Sequence, residues 1–179
     1  MSFKPAAYTD LKFNPYTMIA QNWWLITAGT EQTGFNTMTA SWGQLGSLWS
    51  RPETKRFTGL PTAIVFVRPQ RYTKEFLDRE KIFSLTCFDT IRWRKALMYL
   101  GTHSGRDEDK IKTMGLTPEF GYGTTYFSEA SLVFICKKIY QYPMQASGFV
   151  EPELLSRNYP DGDLHEMYIG EITQVLQKV

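Results

Sequence analysis

The sequence predicts a mainly β domain, an antiparallel barrel with short helical insertions, and three observations carry that expectation. Aromatic residues make up 15% of the 179-residue chain, and aromatic and β-branched side chains favour strands over helices. Apolar runs of strand length recur at 23–30, 62–68, 82–88, 131–142 and 165–176. The spacing of these runs lacks the regular strand–helix alternation of a parallel βαβ protein. No internal repeat or shift in composition marks a boundary, so one domain over residues 1–179 is expected, long enough to bury a core without staples.

Taken in order, residues 1–22 contain Pro5 and Pro15 and read as an irregular lead-in packed on the barrel. Residues 23–30 and 36–42 read as two strands joined by a loop with Gly34. In the second, Thr37, Thr39 and Ser41 alternate with Met38, Ala40 and Trp42, the two-residue period of a strand with one polar and one apolar face. Residues 43–61, with three glycines and two prolines, read as a long loop in which Trp49 is a lid, a partner contact or, more plainly, a surface anchor. The run 62–68 is a buried strand ended by Pro69. Arg71-Tyr72-Thr73 opens a short amphipathic helix, with Thr73 a candidate N-cap and Phe76 and Leu77 facing inward. A strand at 82–88 follows, then a helix at 91–100 with Trp93, Leu97 and Leu100 near one face and Gly101 at its stop. Ser104-Gly105-Arg106-Asp107 is a loop leading into a helix through Lys110, Ile111 and Met114 that stops at Gly115. A long strand at 131–142, one or two helical turns at 151–157, a turn at Asp161-Gly162-Asp163 and a last strand, His165 to Leu176, interrupted at Gly170, complete the chain.

Composition excludes several kinds of chemistry. A formal net charge of +2 is too small to argue for nucleic acid without a clustered basic face. No apolar run approaches a membrane span, and the start of the chain has no secretory h-region, so a cytoplasmic protein is expected. Cys87 and Cys136 lie in apolar runs and read as buried free thiols, with one disulfide between them the alternative. The two histidines, His103 and His165, do not stand at metal-ligand spacing with other ligands, so no metal is expected. GxSxG, Walker and GxGxxG patterns are all absent, so a nicotinamide would have to bind without a Rossmann unit.

Three stretches concentrate polar groups beside strand ends. The strand at 36–42 has small side chains that let a planar ligand approach its backbone, although alternation alone fits an ordinary half-buried strand. The segment Arg68-Pro69-Gln70-Arg71-Tyr72-Thr73 joins a strand end to a helix start, where two arginines and the helix dipole suit a phosphate or simply a solvated turn. The third is Thr102 to Lys110, a plain capping pattern in which Lys110 could reach back to an anion. His165, at the head of the last strand, reads as a hydrogen-bonded structural group, or as a near-neutral titrating group beside a redox ring.

Five motifs occur in one order over most of the chain: Asn36-Thr37-Met38-Thr39-Ala40-Ser41-Trp42-Gly43, Val67 to Thr73, Phe83 to Phe88, Ser104 to Asp107 with Lys110, and His165 to Ile172. Together they resemble those of the flavin reductase-like, FMN-binding split-barrel proteins, in particular the flavoredoxin branch. The resemblance implies a split β-barrel, a homodimer, and one FMN per protomer near the dimer interface. It implies that Asn36, Met38, Thr39 and Ser41, with Trp42 close by, run along the isoalloxazine ring. It places Arg71 and Thr73 at the phosphate with Gln70 nearby, Cys87 and Phe88 under the ribityl chain or ring, Ser104 and Lys110 completing the anion site, and His165 at the cofactor. The implied activity is that of an oxidoreductase passing electrons from NAD(P)H or a redox protein through FMN to an acceptor. The flavin does the chemistry, so no side chain is assigned as catalytic. The alternatives are a non-enzymatic FMN-binding electron carrier docking through Arg92, Arg94 and Lys95, and a barrel that binds something else.

Overall fold

A computed structural model of the chain describes residues 2–53 and 59–179. Ten strands are present among the described residues: β1 (Phe3–Ala6), β2 (Trp24–Thr30), β3 (Gly34–Ala40), β4 (Gly43–Leu48), β5 (Leu60–Val67), β6 (Ile82–Cys87), β7 (Pro118–Gly121), β8 (Thr124–Phe127), β9 (Leu132–Pro143) and β10 (Glu166–Lys178). Four α-helices interrupt them: α1 (Tyr72–Arg79), α2 (Thr90–Thr102), α3 (Lys110–Thr113) and α4 (Pro152–Asn158). One antiparallel sheet runs β3-β2-β6-β9-β10-β5-β4, with β1 also on β10.

The sheet is rolled, and its connectivity shows why. β3 and β4 are its two terminal strands, yet only Ser41 and Trp42 separate them in the chain. A two-residue link spans on the order of 10 Å, so the two edges must meet at that end. The result is a barrel left open along the β3/β4 seam. Its interior is filled by Trp24, Ile26, Val65, Phe83, Phe134 and Tyr168, all almost fully buried. A second cluster lies on the outer face, where Leu25, Val133 and Ile135 pack against Leu97 and Leu100 of α2 and Phe127 of β8. β2 is therefore buried on both faces, which is why its residues from Trp24 to Ala28 are apolar except for the buried Thr27.

Several expectations are corrected. The predicted loop 43–61 begins with a strand, because β4 pairs with β5 from Gly43↔Val65 to Leu48↔Leu60. Two glycines and an exposed outer face hide this edge strand from periodicity. Residues 54–58 of that predicted loop lie outside the described residues. Trp49 packs its ring 5.9 Å from that of Tyr140, on the barrel surface. Residues 1–22 are partly regular, since β1 pairs with the end of β10. Residues 116–130, to which the sequence pattern assigns no element, hold the β7–β8 hairpin. That hairpin caps the outer sheet face through buried hydrogen bonds from Ser84 Oγ to Thr125 O and from Thr125 Oγ1 to Gly29 O. α2 continues through Gly101 to Thr102. Gly170 does not interrupt β10 but sits at a register shift against β9. A Cβ there would come within 2.7 Å of Cys136 Cβ and of the Phe83 ring, so only glycine fits. The two cysteines are free and buried.

Candidate functional site

The β3/β4 seam and the loops beside it form two adjoining cavities. The first is a small pocket of about 100 Å³, lined by Asn36 and Met38 of β3, Gln70 to Thr73, Leu100 to Ser104 in part, and Lys110. Its construction starts with α1. Arg71, not Thr73, occupies the N-cap position, and no side chain caps the helix. Thr73 lies one residue inside the first turn, buried, where its Oγ1 accepts a 2.8 Å hydrogen bond from Asn36 Nδ2. That bond ties α1 to β3. The loop after α2 closes on the same asparagine, since a Cβ on Gly105 would lie 2.3 Å from Asn36 Oδ1. Gly105→Ala is therefore expected to displace the Asn36 amide and lower stability by about 1 kcal/mol, read as a fall in thermal midpoint.

Two cations converge in this pocket. Lys110 is only 3% exposed, and its Nζ donates to Leu100 O at 3.1 Å and His103 O at 2.9 Å. Arg71 Nη1 donates to Gly101 O at 3.1 Å. Both thus lean on the last carbonyls of α2, the negative end of its dipole. Neither is ion-paired with a carboxylate among the described residues. Burial and the neighbouring Arg71 charge push the Lys110 ammonium down to about 8. Ser104 lines the pocket while its Oγ accepts from Arg106 N at 3.2 Å to form a turn. Arg106 spans the mouth, ion-paired to Glu75 with its guanidinium 4.6 Å over the Tyr72 ring.

The second cavity is a groove of about 240 Å³ along the seam, lined by Met38 to Trp42, Phe66, Arg68, Arg71 and His165. It shares Met38 and Arg71 with the pocket, so the two adjoin. As a terminal strand, β3 leaves alternate N–H and C=O groups without sheet partners. Its threonine side chains do not form a free polar row. Thr37 Oγ1 is engaged by Thr27 and Ile26 O, and Thr39 Oγ1 donates to Leu97 O. What Thr39 offers the groove is its backbone. At the far end Trp42 lies 5.1 Å from the His165 ring, and His165 Nδ1 is 2.7 Å from Tyr159 Oη.

A third and larger chamber, about 600 Å³, opens on the other side of Ser41, Trp42 and Phe66, which line both spaces. The segment 15–20, the start of β4 and residues 144–159 form its walls.

The predicted site residues divide as follows. Asn36, Met38, Thr39, Ser41, Trp42, Gln70, Arg71, Thr73, Ser104, Lys110 and His165 all line the pocket or the groove. Gln70 turns its side-chain amide away, donating to Asp163 Oδ2 at 2.8 Å. His165 is not poised near neutrality: burial and the charges of Arg68 and Arg71 push it down to about 4, so it is uncharged at neutral pH. Cys87 and Phe88 are not brought to the cavities; both are buried in the core, Phe88 against Trp93 and Phe127. Desolvation pushes the Cys87 thiol up to about 12, which leaves it unreactive. Residues not singled out beforehand include Phe66 and Tyr159, single aromatics that no spacing distinguishes from core. Arg68, one of the two arginines read as suiting a phosphate, lines the groove instead, held by an ion pair with Asp163 and a 2.8 Å bond to Asn158 O. Among the described residues no group of metal-ligating side chains is present, and no helix is long and apolar enough to cross a membrane.

No family model and no curated protein matches the chain. Solved structures do. The FMN-binding domain of a flavin reductases-like enzyme from Shewanella baltica OS155 is similar with a TM-score of 0.64 at 16% identity, over 98% of this chain and 77% of that one. Flavoredoxin of Desulfovibrio vulgaris (Miyazaki F) is similar with a TM-score of 0.61 at 23% identity, over 87% of this chain and 69% of its own. The NADH:FAD oxidoreductase of Streptomyces globisporus C-1027, in complex with NAD and FAD fragments, is similar with a TM-score of 0.59 at 16% identity, over 88% and 74%. At these identities the likeness is one of architecture: the chain has the split-barrel fold of the flavin reductase-like FMN-binding proteins, flavoredoxin among them.

Proposed function

We propose that the chain binds FMN and works as a flavin-dependent oxidoreductase of flavin reductase or flavoredoxin type. The observation that carries this reading is the small pocket lined by both Arg71 and Lys110, neither of them ion-paired with a carboxylate among the described residues. Two like charges lining one pocket repel, and a phosphate dianion relieves that repulsion. FMN has the matching shape, a phosphate at one end and a planar ring at the other, and the groove along β3 adjoins the pocket at Met38 and Arg71. The residues present therefore fit the group. Arg71 and Lys110 would hold the phosphate, with Thr73 and Ser104 hydroxyls beside it, while the unpaired backbone groups of β3 would receive the polar edge of the ring. Met38 and Trp42 supply flat or soft apolar surface, and neutral His165 adds no charge there. Bound in this way, FMN would supply one- and two-electron redox chemistry, and the chain would orient it and limit its contact with water.

The absorption spectrum of the pure protein, before and after NADPH or NADH, tests the proposal. A bound flavin bleached by nicotinamide supports the reductase form. A flavin reduced by a ferredoxin-type protein but not by nicotinamide supports the carrier form, with exposed Arg92 and Lys95 on α2 to steer an acidic partner. Arg94 contributes less to such a rim, because its guanidinium is tucked 4.2 Å over the Trp23 ring. A protein that takes up no flavin ends both forms. Two further parts of the proposal are a homodimer, for which sedimentation equilibrium should return twice the chain mass, and a cytoplasmic location, which the two free buried thiols support.

A pH dependence follows from Lys110. Binding an anion favours the charged ammonium, so occupancy raises its pKa above the free value of about 8. Affinity is then complete below that value and declines as pH rises through it. On the acid side, affinity also declines below about 6, where the phosphate becomes a monoanion. Fluorescence titration with FMN from pH 5 to 10 should show this plateau. Riboflavin, which lacks the phosphate, should show neither limb.

A further inference from the structure

We propose that the 600 Å³ chamber beyond Trp42 is a binding site for a neutral, largely apolar aromatic molecule, and that it does not accept a nicotinamide dinucleotide. As a substrate site this rests on the FMN reading; as a ligand site it stands alone. Its apolar lining includes Ile19, Leu45, Phe66, Met144, Phe149 and Leu154. Among the described residues no Asp, Glu, Lys, Arg or His lines it. Apolar walls with a few convergent polar groups are the composition of small-molecule sites, and the volume lies in their usual range. The polar groups here include Tyr16, Ser41, Gln44, Asn158 and Tyr159. Tyr159 points its hydroxyl to His165, which lines the groove, so one hydrogen-bonded pair bridges the two spaces.

The chamber is placed against the groove by shared walls. Ser41, Trp42 and Phe66 line both, so a ring in the chamber lies next to whatever occupies the seam. A dinucleotide would bring a pyrophosphate into a space with no cation among its described lining residues. Leaving two ionised phosphates desolvated and unpaired is strongly unfavourable. Arg68 and Arg71, which line the adjoining groove, are already engaged, Arg68 by Asp163 and Asn158 O and Arg71 by Gly101 O. A planar, uncharged aromatic meets no such penalty and gains from burial against Phe66, Phe149 and Trp42.

The test uses 2-naphthol as the neutral probe and NADH as the charged one, titrated calorimetrically into the full chain with and without FMN. FMN affinity is measured separately by flavin fluorescence. Leu154 is 48% exposed on α4, so a polar replacement there is tolerated by the fold. The expected results are saturable binding of one 2-naphthol per chain, at least tenfold weaker binding in Leu154→Glu with unchanged FMN affinity, and no competition from NADH. Leu154→Arg should add measurable NADH binding by placing a cation on the wall. The proposal is overturned if 2-naphthol does not bind, if it binds Leu154→Glu as tightly as the unsubstituted chain, or if NADH displaces it. It is also overturned if 2-naphthol fails to bind while Leu154→Glu turns a dimer into monomers, because a second copy then covers the chamber. Binding of 2-naphthol, lost in Leu154→Glu, to a chain that takes up no FMN would support the ligand site and sink the flavin reading, so the two failures are distinguishable.

Discussion

Lys110→Met and Arg71→Ala are each expected to weaken FMN binding by about 1–3 kcal/mol, roughly 5- to 150-fold in Kd, the range for a charge-assisted hydrogen bond. Methionine is the better replacement for Lys110 because it keeps the buried stem and removes only the ammonium. Its loss also frees Leu100 O and His103 O at the end of α2, so the folded fraction must be checked by circular dichroism. Riboflavin is the internal control. A phosphate-specific loss leaves riboflavin affinity within about twofold, whereas a collapsed pocket weakens both ligands.

The two cations are also coupled, which gives a sharper outcome. The Arg71 charge helps to hold Lys110 down near 8. Removing Arg71 therefore raises the Lys110 pKa, and the alkaline limb of FMN binding should move to higher pH in Arg71→Ala while the overall affinity falls. In Lys110→Met that limb should vanish. Unchanged FMN affinity in both variants would remove the phosphate site and with it the main support for the proposed function.

The parts of this site that are contiguous in sequence were legible in it, and the parts assembled from distant segments were not. Arg71, Thr73, Ser104 and Lys110 stand beside recognisable turn and helix-start patterns, and the structure brings them to one pocket. Even there, local pattern misassigned the cap. Thr73 is a common capping residue, but its hydroxyl is buried against Asn36, a partner 37 residues away. The β5, β6 and β9 runs were legible because β6 and the first half of β9 are largely buried on both faces and β5 on one, which leaves uncharged stretches rich in apolar residues. β4 was not, because an edge strand needs few apolar residues and tolerates Gly43 and Gly46. The chamber draws on residues near 15, 45, 66, 144 and 154, and no periodicity connects them. Cys87 and Phe88 show the opposite error: the order of motifs placed them at the ligand, and packing against Trp93 and Phe127 places them in the core.

Asp78→Ala is expected to lower stability by about 2–3 kcal/mol, through the loss of a partly buried polar network rather than of one ion pair. The carboxylate accepts from Lys74 Nζ at 2.7 Å, from Gln141 Nε2 at 2.9 Å and from Tyr168 Oη at 2.6 Å. Lys74 also pairs with Glu166 at 2.7 Å, and Lys138 donates to Asp78 O at 3.0 Å. These bonds fasten the C-terminal end of α1 to β9 and β10, and α1 carries Arg71 and Thr73 at its other end. An exposed Lys74–Asp78 pair alone would be worth under about 1 kcal/mol. The larger figure comes from Tyr168, whose side chain is fully buried and would keep an unpaired hydroxyl. Adding Tyr168→Phe to Asp78→Ala should therefore restore about 1 kcal/mol, which a sum of independent contacts would not do. The pH dependence has a definite sign. Burial opposes ionisation of Asp78, but hydrogen bonds from Lys74 and Tyr168 and the charges of Lys74 and Lys138 outweigh it, so its carboxyl lies below the usual range. A depressed folded pKa contributes stability that is present above the unfolded value and lost as pH falls through the folded one. Thermal midpoints of the unsubstituted chain and Asp78→Ala should thus differ most at neutral pH and converge in acid. A gap that stays constant from pH 7 into acid would mean that the carboxylate is not what holds α1 in place.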